Sequence, residues 1–178
     1  MTLPNWHDNY PEIDEYDQYY QSYIDLLDTD NIIQTLTRQG QETFALIQRL
    51  SPEEAAYRYA DGKWSVKEVI GHLIDTERVM SYRAMCISRG DQTSLPGFDQ
   101  DDYVVNGHFD ERSLQNLSAE YDALRNANIS MFNGLAGEQI LRKGTANGVT
   151  VSVRALAYII AGHEKHHLRI LKEKYNIE

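Results

Sequence analysis

The chain has one cysteine, Cys86, in 178 residues. No internal disulfide can staple it, which fits a reducing cytoplasm. No apolar run is long enough to cross a bilayer. The start of the chain lacks a basic stretch followed by an apolar one, so no secretory leader is expected. Positive charge is scarce: 17 Lys and Arg stand against 27 Asp and Glu, a net charge of −10. Nucleic-acid binding needs clustered cations to neutralise phosphate, and no basic stripe is visible. Repeats and low-complexity linkers are absent too.

What is there reads as a cytoplasmic globular protein. Apolar content is an ordinary 42%, and the length suffices for one domain with a sizeable core. Residues 1–178 are taken as that single domain. Residues 1–28 are acidic and carry Tyr10, Tyr16, Tyr19, Tyr20 and Tyr23. They read as an N-terminal arm packed on the rest, with a lid or dimer contact as the functional alternative.

Apolar residues then recur at helical spacing in four long stretches. The first runs over about residues 30–50, with Asp30 as N-cap and Ile33, Leu36, Phe44, Ile47 and Leu50 on one face. Ser51-Pro52 restarts a short helix. Ser65 and Glu68 form a capping box that starts the second, which ends near Arg89-Gly90. Residues 91–109 read as a long connection of the kind that carries function or crosses between parallel helices. The third stretch spans about 111–133, capped by Asp110. Asn147-Gly148 signals a hairpin turn. Thr150 or Ser152 caps the fourth, which runs to about Tyr175. Four such stretches predict an all-α four-helix bundle.

The stretch Gly162-His163-Glu164-Lys165-His166-His167-Leu168 stands out. His163 and His167 are four apart and share one helix face. They fall at the centre of the apolar stripe made by Leu156, Ile159, Ile160, Ile170 and Leu171. Imidazoles aimed at a core need partners, and a metal ion would satisfy both. His72 lies on the second helix just outside its stripe, where a helical wheel favours a boundary histidine. If helices two and three run parallel across the long connection, helix four runs antiparallel to helix two. His72 and His167 then lie at the same depth to within a turn. In a simple up-down-up-down bundle they would be more than ~15 Å apart. A three-histidine site is thus self-consistent with an up-down-down-up bundle. Three neutral imidazoles with open positions describe a catalytic metal site.

Other polar groups have weaker claims. His166 points about 60° or more away from the pair and could act behind the ligands or sit on the surface. Glu164 and Asp75 read as solvated or as supports behind the ligands. Glu77 falls inside an apolar stripe, so it is either a buried base or the partner of an arginine such as Arg154. Cys86 is ~20 Å along the helix from His72, too far to join the site, and fills the core. His7 and His108 read as loop histidines. His163-Glu164 with His167 also matches the His-Glu-x-x-His motif of zinc proteases. That reading lacks a downstream third ligand and a sheet edge to bind an extended peptide.

The stretch from Trp64-Ser65-Val66-Lys67-Glu68 through Gly71-His72-Leu73 to Glu77-Arg78 resembles the second helix of the DinB superfamily. Arg89-Gly90-Asp91 through Phe98-Asp99 resembles its crossover loop, and residues 162–168 resemble its last helix. The resemblance implies an up-down-down-up bundle with a divalent metal held by His72, His163 and His167. It implies thiol S-transferase chemistry, in which a low-molecular-weight thiol is added to a small electrophilic substrate, and a homodimer. Zn or Ni is the expected metal, with Fe, Mn or Cu as alternatives. Glu77, His166, Tyr158 and the 91–109 connection would shape the pocket. A metal-dependent hydrolase on the same site, or a non-catalytic dimeric bundle, stays open.

Overall fold

The computed structural model describes residues 5, 6 and 10–177. His7 lies outside the described residues, as does part of the 1–28 arm. The first long helix, α1, is Ile32–Arg49. Its cap is Asn31 and not Asp30: the Asn31 side chain accepts from the backbone N–H groups of Ile33 and Gln34. Helix α2, Val66–Ser88, starts at the Ser65/Glu68 capping box. It stops where Gly90 takes a positive φ of 85°. The connection after it is not all loop. It holds α3, Gln100–Gly107, capped by Asp99. Eight residues are too few for apolar periodicity to reveal a helix.

Helix α4 is Leu114–Asn133 and its cap is Ser113. Asp110, expected in that role, instead bonds Ser65 and Arg58 and ties the connection to the start of α2. Strands β1, Lys143–Ala146, and β2, Val149–Ser152, form an antiparallel hairpin. Asn147 and Gly148 turn it at positive φ, as a two-residue hairpin turn requires. Helix α5, Val153–Tyr175, follows directly, capped by Ser152.

Side-chain bonds fix the directions. Gln48 reaches Ser118 and Arg125 reaches the Leu36 carbonyl, so α1 and α4 are antiparallel. Ser65 meets Asp110, and Glu77 meets Arg125, so α2 and α4 are parallel. Gln39 bonds the Ala161 carbonyl and Thr43 bonds Glu164, so α1 and α5 are parallel. The bundle is up-down-down-up, with α3 on the crossover between the two parallel helices.

The core is split by a polar layer. One apolar cluster, at the hairpin end, includes Met80, Ile87, Leu156 and Ile159. The other, at the opposite end, includes Ile47, Ile70, Leu117 and Leu171. Between them Arg125 donates to Glu77, Glu164 and the Leu36 carbonyl. Glu77 therefore pairs with Arg125, and not with Arg154 as the sequence suggested. Arg154 binds Glu15 of the arm, which also accepts from Ser152. Trp6 donates to the Phe132 carbonyl at 3.0 Å and packs its ring on Phe132.

Losing one member of a buried ion cluster leaves the others unpaired. Arg125→Met should lower the unfolding free energy by about 3–5 kcal/mol, read from urea denaturation. An unchanged midpoint would show that the polar layer does not hold the bundle.

Candidate metal centre

The antiparallel pairing of α2 with α5 brings His72 against His163 and His167. The Nε2 atoms of His72 and His163 are 3.0 Å apart. One donor nitrogen from each of the three rings lies within 4.8 Å of the others. His72 is not a boundary residue: it is 2% exposed. A wheel of its own helix could not show that α5 and Trp64 would cover it. The Trp64 ring lies tilted against it, with ring centres 4.8 Å apart.

Burial lowers the pKa of His72 to about 4. It also lowers His167 to about 3, helped by the nearby His72 and His166. His163 is pushed well down by burial and by the other three imidazoles. All three are neutral near pH 7, the form that ligates metals. Neutral rings converging edge-on present lone pairs to one another, and a hydrogen bond can satisfy at most a part of them. Three neutral imidazole nitrogens gathered within 4.8 Å are the donor type and number that a divalent ion takes. The donor set therefore fits a divalent ion.

The supporting groups are clear. Thr76 Oγ1 sits 3.4 Å from His72 Nδ1. The tautomer that frees Nε2 carries its proton on Nδ1 and donates to that hydroxyl. Tyr23, from the arm, packs edge-on against His163 at 5.5 Å and His166 at 5.2 Å. Gly162 makes this approach possible, since a Cβ there would sit 2.3 Å from the Tyr23 carbonyl oxygen.

The remaining candidates scatter. Glu164 is neither solvated nor free. It is 2% exposed and accepts from Thr43, Tyr121 and Arg125. Its bonds face the polar layer, which removes the general base the protease motif needs. Glu77 is held by Arg125 and Asn128. His166 is half-buried beside Tyr23. Tyr158 is buried 4.9 Å from the Tyr10 ring and does not line the cavity at the histidines. Asp75 lies near Arg78, at 3.7 Å. His108 is exposed with a left-handed backbone. Cys86 is buried in the core.

A cavity of about 360 Å³ opens onto His72 and His163. The arm supplies Tyr20 and Tyr23 to its wall, α2 supplies Thr76, Met80 and Arg83, and the connection supplies Phe98. Sequence reasoning passed over Arg83, although a signal was there. It falls eleven residues after His72, ~20° away on a helical wheel, on the same face. A second cavity of about 240 Å³ lies on the other side, beside His167 and Trp64.

An up-down-down-up helical bundle with a largely buried triple-histidine cluster between its second and last helices defines the class of protein. The sequence profile of the DinB superfamily matches residues 35–171. The chain belongs to the DinB superfamily. It is 26% identical over 145 residues to a protein of Oceanobacillus iheyensis named as a candidate metal-dependent hydrolase. That match covers 79% of each chain. In fold it is similar to YfiT of Bacillus subtilis, with a TM-score of 0.71 at 14% identity, over 95% of this chain and 93% of that one. YfiT is described as a probable metal-dependent hydrolase with an unusual four-helix bundle topology. No helix of the described residues is long and apolar enough to cross a membrane.

Gly162→Ala should push the Tyr23 segment off α5 and cost about 1–3 kcal/mol of stability, as overpacking does. Near-UV circular dichroism and thermal unfolding read both effects. A stable variant with an unchanged spectrum would show that the contact does not position Tyr23.

Proposed function

We propose that this protein is a divalent-metal-dependent enzyme that adds a small thiol to an electrophilic small molecule at the His72, His163 and His167 centre. The observation that carries this is three neutral, converging imidazoles, two of them buried and at the wall of one cavity, the third half-buried beside a second. A divalent ion held there, Zn or Ni foremost, with Fe or Mn as alternatives, supplies a Lewis acid that lowers the pKa of a nucleophile beside it.

The chain's own residues do the rest. Thr76 and Trp64 hold the His72 ring in its tautomer and plane. Tyr23 covers His163 and keeps water from the ligands' outer side. The cavity orients the electrophile. The new bond joins sulfur to the electrophilic carbon, the leaving group departs with its electron pair, and the thiol proton passes to solvent.

The choice of thiol over water rests on what surrounds the histidines. Activating water calls for a positioned base, but Glu77 and Glu164 are both bound by Arg125. A thiol with an ordinary pKa near ~8.5 ionises beside a cation with less help. Hydrolysis on the same site is the second reading, favoured by the two relatives, each described as a metal-dependent hydrolase.

Untagged protein loaded with Zn or Ni should hold about one ion per chain by elemental analysis, and His163→Ala should lose it. The loaded wild type should accelerate coupling of cysteine to 1-chloro-2,4-dinitrobenzene. Turnover of p-nitrophenyl acetate without any thiol would favour the hydrolase. Protein that takes up no metal would overturn both readings.

A further inference from the structure

We propose that Arg83 anchors a carboxylate on the ligand that enters the cavity beside the histidines. Three arginines of the described residues are buried. Arg125 is paired with Glu77 and Glu164, and Arg154 with Glu15. Arg83 is 4% exposed, and no ion pair joins it to a described carboxylate, in a chain with 27 acids. Its Nη2 donates to the Pro96 carbonyl at 2.7 Å. Its Nη1 meets the Met80 sulfur, at 3.4 Å, a weak acceptor. The guanidinium lies 6.0 Å from the Phe98 ring centre and also donates to the Tyr20 hydroxyl.

A buried cation without a counter-charge is expensive, and this one lines the cavity. The one acid on the same wall, Asp17, accepts from the Tyr19 backbone N–H at 2.8 Å and caps its own turn. A guanidinium presents five donors in a planar fork that matches a carboxylate. With its neutral contacts in place, Arg83 retains donors for such a group. Met80, Phe98 and Ile159 give the ligand's middle an apolar path.

The spacing sets the ligand's length. Arg83 is ~16 Å beyond His72 along α2, at ~1.5 Å per residue. Its side chain leans back toward the helix N-terminus. A molecule with its anionic and reacting ends on the order of 10 Å apart spans the two. Placing the reacting end at the histidines rests on the metal-centre reading; the anionic end does not.

The test is binding of 6-mercaptohexanoate against 6-mercaptohexanol by titration calorimetry, with zinc-loaded and with metal-free protein. The two probes differ only at the end that would reach Arg83. Wild type should prefer the carboxylate by about 10-fold or more, as a charge-assisted hydrogen bond allows. Arg83→Met and Arg83→Gln should abolish that preference while zinc content stays at the wild-type level. No preference in the wild type overturns the proposal without recourse to any variant, and so does a preference that survives in either variant. Zinc content and probe preference of the wild-type chain separate the two readings. If the chain binds no zinc yet prefers the carboxylate, the metal centre fails and the anchor stands. If zinc binds and the probes are equal, the anchor fails and the metal centre stands.

Discussion

One guanidinium ties the four helices together. Arg125 on α4 bonds Glu77 on α2, Glu164 on α5 and the Leu36 carbonyl on α1. Gly40 of α1 leaves room for it, since a Cβ there would meet the Arg125 side chain at 2.8 Å. Buried charges are tolerated only when paired and hydrogen-bonded. A slip of α2, α4 or α5 by one turn would leave a carboxylate or the arginine alone. The cluster therefore sets register as well as contact. Glu164 is next to His163 in sequence, and Glu77 follows His72 by five residues. The bonds that align the two carboxylates on Arg125 bring the histidines of α2 and α5 to one depth.

The arm completes what the bundle begins. Glu15 docks it on Arg154 and Ser152, and Trp6 fastens to Phe132. Tyr20 and Tyr23 then become cavity wall and not surface aromatics. This separates two environments along α2. Toward the polar layer, all carboxylates are engaged. Toward the cavity stand the neutral imidazoles of His72 and His163 at one end and the Arg83 guanidinium at the other. Such a cavity suits a nucleophile that needs little help to ionise, and a ligand that carries its own negative charge.

The parts legible in the sequence were those decided by neighbours along the chain. The Ser65/Glu68 box, the Asn147-Gly148 turn, the Ser152 cap and the apolar stripes of the long helices are short-range physics. The i, i+4 histidine pair is of the same kind. Failures came where distant groups compete. Asp110 is a good cap, but Ser65 and Arg58 claim it. Asp30 and Asn31 are both good caps, and the choice fell one residue later. Glu164 read as solvated or as a support behind the ligands, because its partners, Thr43, Tyr121 and Arg125, come from two other helices.

By itself the sequence determined four amphipathic helices, a hairpin turn, the histidine pair and, through motif resemblance, the family. Those depend on periods of a few residues, which a single chain displays. The tertiary structure alone decided that His72 is buried, that Glu77 answers Arg125, and that Arg83 faces a cavity with no described carboxylate paired to it. Each of these depends on what packs opposite a side chain, and helical spacing gives a direction without saying what lies there.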